Sequence, residues 1–95
     1  MAEQEPEELS AEELLAEIRK LKVTDVLLST MSTVAQLAYA KLEEGSVDLP
    51  QARIAIESLR ALLPVLEGNV TDEAVRDFRQ VVAHLQLAYA ATTEG

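Results

Sequence analysis

Residues Thr24–Glu44 read TDVLLSTMSTVAQLAYAKLEE, and how this stretch is covered decides the architecture. Leu27, Met31, Val34 and Ala38 recur at helical spacing as one apolar stripe; Leu28, Ala35, Tyr39 and Leu42 form a second. Val26 and Leu37 lie outside both, and nothing between Asp25 and Lys41 is charged. A helix apolar around most of its circumference expects burial around most of it. The uncharged run Val26–Ala40 is shorter than a membrane span and carries Ser, Thr and Gln, so a water-soluble helix is the reading. Thr24 is the expected N-cap, with Asp25 near the positive end of the helix dipole and Val23 and Leu28 placed as a staple. The helix is expected to run to about Leu42–Glu44, where Gly45 supplies the left-handed stop.

Outward from this helix, cap signals and apolar periodicity agree on three more. Upstream, SAEELLAEIRKL places Ser10 and Glu13 at capping-box spacing, with Leu9 and Leu14 in staple positions. Leu14, Leu15, Ile18 and Leu21 form the stripe of a short amphipathic helix, too short to be stable without something to lie against. Downstream, Asp48, Pro50 and Gln51 open a third helix whose broad apolar face is Ala52, Ala55, Ile56, Leu59, Leu62, Leu63 and Leu66. Pro64 either ends that helix or kinks it; Val65 and Leu66 prolong the stripe and favour a kink with one further turn to Gly68. Thr71 caps a fourth helix with the seam Val75, Phe78, Val82, Leu85 and Tyr89.

The fold class that follows is all-α: a small bundle of three main antiparallel helices plus the short N-terminal amphipathic helix. Residues 1–9 read as an acidic flexible tail, 10–22 as an arm, 23–91 as the bundle domain and 92–95 as a frayed terminus. A length of 95 residues allows one modest core, and 48% apolar residues with only 3% aromatics make that core aliphatic.

The net charge of −9 opposes binding to nucleic acid or to an anionic membrane surface, both of which need a basic stripe. Without cysteine there is no disulfide, thiol catalysis or thiolate metal site. The acidic opening MAEQEPEEL is unlike a secretory leader, which makes a cytoplasmic location the expectation. His84 stands alone beside the fourth-helix seam, without a nucleophile to pair with, and reads as structural. No Glu-x-x-His pair suggests a carboxylate-bridged metal, and the glycines Gly45, Gly68 and Gly95 form no phosphate loop. The expectation is therefore a non-enzymatic protein without metal or cofactor.

From Leu49 onward the chain reads LPQARIAIESLRALLPVLEGNVTDEAVRDFRQVVAHLQLAYA. With the preceding VLLSTMSTVAQLAYAKL, this order of features resembles a bacterial family of small helical proteins, domain-of-unknown-function family eighteen-forty-four. The resemblance spans about Val23–Ala90 and rests on the apolar helix, the D-L-P-Q-A-R segment, the L-x-G-N-V-T turn and the closing L-Q-L-A-Y. Relative to that pattern, the loop EEGSV is short and the start of the apolar helix lacks an aromatic residue. The resemblance implies a helical fold, no assigned activity and no catalytic residue.

The functional expectation is an interaction module that self-associates as a homodimer through helix 24–44, with Leu27, Leu28, Met31, Val34, Ala35, Ala38, Tyr39 and Leu42 as the interface. Leu14, Leu15, Ile18 and Leu21 would be arm contacts, either covering a groove or recruiting a partner protein. Two other readings stand beside it: a carrier holding a small apolar ligand near Tyr39 and Tyr89, and an acidic adaptor for a basic protein complex such as the translation or transcription machinery. The repeated pentapeptide QLAYA, at Gln36–Ala40 and Gln86–Ala90, reads as one end-of-helix packing solution used twice, with both copies at the same end of the bundle.

Overall fold

A computed structural model describes residues 10–94; the acidic tail and the staple residue Leu9 lie outside the described residues. Those residues form four helices and no strand: α1 Ala11–Lys20, α2 Val23–Ala40, α3 Leu49–Leu66 and α4 Asp72–Glu94. Helices α2, α3 and α4 pack against one another, whereas α1 contacts none of them.

The caps explain where the helices start. The Glu13 amide donates to Ser10 Oγ at 3.1 Å, and the Ser10 amide donates back to Glu13 Oε1 at 3.0 Å, completing the box expected of that spacing. Asp48 Oδ1 accepts from the Gln51 amide at 3.2 Å, and Thr71 Oγ1 from the Ala74 amide at 3.1 Å. The expectation for α2 needs correction. That helix begins at Val23 rather than after a Thr24 cap; Lys22, in extended conformation, is its N-cap and contributes no side-chain bond. The Lys22 carbonyl accepts from the Asp25 and Val26 amides, so the extra turn is held by backbone bonds alone.

Two ends also differ from expectation, those of α2 and α4, whereas α3 continues past Pro64 as expected. Helix α2 stops at Ala40, where the chain tightens through bonds from the Leu42 amide to the Tyr39 carbonyl and from the Glu43 amide to the Ala40 carbonyl. Gly45, at φ 91°, therefore turns the following loop instead of ending the helix. Helix α3 runs through Pro64 to Leu66. An internal proline costs a helix about 3 kcal/mol, and complete burial of Leu66, worth about 1.5–3 kcal/mol, offsets most of that. Instead of fraying, α4 continues to Glu94, with the Thr92 and Thr93 hydroxyls donating to the Ala88 and Ala90 carbonyls.

The core sits where the three main stripes meet. Met31, Leu59, Leu66 and Leu85 are completely enclosed, joined by Ala35 and Ala38 from α2, Ile56 from α3, and Val75 and Val82 from α4. Leu62, Leu63, Phe78 and Tyr89 pack against this cluster from its edges. The seams read for α3 and α4 are thus the faces turned inward. Helix α3 is the shared element, with α2 along one side and α4 along the other. No polar or charged side chain is buried among the described residues.

Candidate functional site

An interior of aliphatic side chains offers nothing polar to orient a ligand, so the informative chemistry lies on the surface. Among the described residues, no group of three or more His, Cys, Asp or Glu side chains converges as a metal site would require. His84 is exposed on α4.

The two tyrosines of the QLAYA copies sit in different surroundings. Tyr89 borders an open groove of about 390 Å³ together with Arg53, Ile56, Glu57, Arg60 and Gln86, between α3 and the end of α4. Arg53 Nε donates to Glu57 Oε2 at 3.0 Å, and this bond and charge push the guanidinium pKa still higher. Tyr39 is 42% exposed on α2, outside the packed cluster that includes Tyr89. Both copies nevertheless lie at the same end: Tyr89 beside Leu49 and Pro50, and the Leu37–Lys41 turn of α2 beside Gln51.

The expected interface residues divide sharply. Met31, Ala35 and Ala38 are enclosed in the chain's own core, and Leu27, Leu28, Val34 and Leu42 pack around it. Tyr39 alone of the eight is exposed. The two apolar stripes of α2 are therefore two edges of one inward face, and the side they leave open is a third.

Open strips at alternating spacings of three and four run along two helices, Val26, Thr30, Thr33 and Leu37 on α2 and Ile54, Ser58, Ala61 and Val65 on α3. Val26, Thr30 and Thr33 border a groove with Leu21, Asp25 and Ser29. Leu37, Val34, Ile54, Ala55 and Ser58 line one groove of about 200 Å³ where the two helices meet, with Lys41 and Gln51 at its end. Thr33 donates its hydroxyl to the Ser29 carbonyl at 3.2 Å, satisfying it within the helix. About half of Val26, Leu37, Ile54 and Val65 is open to solvent. None of these eight positions is charged, whereas Arg53, Glu57 and Arg60 occupy the other exposed side of α3.

Val26 and Leu37 were visible in the sequence as residues outside both α2 stripes. Ile54, Ser58, Ala61 and Val65 were missed, although their spacing opposite Arg53, Glu57 and Arg60 carries the signal. The arm residues Leu14, Leu15, Ile18 and Leu21 are all exposed by half or more, on a helix whose whole length is exposed. Comparisons with protein-family models, curated proteins and solved structures return no match.

Proposed function

We propose that the protein is a non-enzymatic, cytoplasmic helical interaction module that self-associates as a homodimer through the outer side of α2 and the adjoining strip of α3. The observation that carries this reading is the uncharged two-helix face Val26/Thr30/Thr33/Leu37 and Ile54/Ser58/Ala61/Val65, open in a chain with net charge −9. Charged residues are otherwise plentiful on its surface, so this uncharged strip is where a partner surface fits at the least desolvation cost. The short loops and the neighbouring ends of α2, α3 and α4 support an antiparallel arrangement, which sets the two strips side by side along their length. The order of the apolar helix, the D-L-P-Q-A-R segment and the terminal L-Q-L-A-Y supports kinship with domain-of-unknown-function family eighteen-forty-four.

Magnitudes limit how strong this contact can be by itself. Finishing the burial of four half-open aliphatic side chains on each of two copies yields on the order of 8 kcal/mol. Association costs about 4–15 kcal/mol in lost freedom. The α2–α3 face alone therefore supports only a weak dimer.

Sedimentation equilibrium tests the reading. The full chain is expected to be dimeric at tens of micromolar, and Leu37→Gln with Ile54→Gln should return it to monomer while leaving its helical circular dichroism unchanged. A wild-type chain that stays monomeric contradicts it.

A further inference from the structure

Helix α1 is well capped and carries an apolar stripe, yet among the described residues it contacts none of the other three helices. Leu14 and Leu15 are each 50% exposed, Ile18 52% and Leu21 60%. The link to α2 is only Leu21 and Lys22, both extended, with ψ of 141° and 133°. With this link α1 and α2 make no contact with each other. Only Leu21, in the link, borders the α2 side of its own chain, in a groove with Val26, Thr30 and Thr33. The Leu14/Leu15/Ile18 part of the stripe and the α2–α3 face are two separate open apolar surfaces.

We infer that α1 is an exchanged arm: the Leu14/Leu15/Ile18/Leu21 stripe of one copy lies on the α2–α3 face of a second copy, and the second arm reciprocates. The inference rests on self-association through that face and names what covers it. Area favours it. The open parts of the four arm residues amount to roughly 400 Å², and those of Val26, Leu37, Ile54 and Val65 to about as much, so either alone gives half of the ~800 Å² per partner of a standard interface. Engaging both on each copy reaches that size. Reciprocal exchange also closes under two-fold symmetry, so no apolar strip is left to propagate an open chain of copies. Length agrees as well: ten helical residues span about 15 Å, close to the about 16 Å from Val26 to Leu37 along α2.

The chain has no cysteine, so introduced thiols are unique reporters. Full-length Ile18→Cys and full-length Ser58→Cys chains are mixed and treated with a short bis-maleimide, and the products are read by mass. The expected product is the mixed cross-linked pair, in excess over either homodimer. The double variant Ile18→Cys/Ser58→Cys should cross-link mainly between chains. Closure within single chains would show that α1 folds back on its own bundle, and would overturn the exchange. A second variant, Leu14→Gln/Ile18→Gln, alters only residues outside the core and should weaken dimerisation on the order of a hundredfold with the bundle still folded. Undiminished dimerisation of that variant, with Leu37→Gln/Ile54→Gln monomeric, overturns the arm and leaves the face standing. A monomeric wild-type chain removes both.

Discussion

The two sides of α2 are made of similar residues and have opposite fates. Met31, Ala35 and Ala38 face α3 and α4 and are closed off from solvent; Val26, Thr30, Thr33 and Leu37 face outward and remain open. Hydrophobicity does not separate them, since neither side carries a charge between Asp25 and Lys41. Residue size does. The inward side alternates long Met31 with small Ala35 and Ala38, which lets α3 approach and seat Leu59 and Ile56 in the core. The outward side is built of β-branched residues and leucine, with the hydroxyl of Thr33 turned back on its own helix, and stays open, with Val26 and Leu37 each about half exposed.

The largest effect is expected from a charge on the inward side. Ala38→Asp buries an unpaired carboxylate and should remove cooperative thermal unfolding, a loss of about 4 kcal/mol or more. Leu59→Ala, at the centre of α3, should cost about 2–5 kcal/mol in urea unfolding, because the enclosed site cannot collapse around the cavity. Caps sharpen the distinction between the bundle and the arm. Thr71→Ala removes the bond to the Ala74 amide and should lower global stability by about 1 kcal/mol. Ser10→Ala removes the equivalent bond to Glu13, yet in a monomer it should only reduce the helicity of α1, since none of the other three helices contacts α1. Smallest of all, Leu37→Gln should leave the unfolding free energy of the isolated chain within about 0.5 kcal/mol.

Much of the bundle was legible because local signals agreed. The Ser10–Glu13 box, the Asp48 and Thr71 caps and the single seam Val75–Tyr89 each need only neighbouring residues to be read. Helix ends were less legible: Val23 joined α2 without a side-chain cap, α2 stopped at Ala40 short of Gly45, and α4 continued to Glu94. These depend on packing or on bonds that propensity does not encode. The candidate surface was legible only as an excess. The α2 sequence shows more apolar circumference than two neighbours cover, but which stripe turns inward depends on where α3 lies. The α3 contribution, Ile54 to Val65, stayed hidden because the longer run of leucines on the same helix dominates its periodicity.

If a second copy closes the open side of α2 and α3, sedimentation equilibrium of the full chain, wild type beside Leu37→Gln/Ile54→Gln, shows a wild-type dimer at tens of micromolar and a folded monomer for the variant. A wild-type monomer at that concentration, or a variant that stays dimeric, would contradict it.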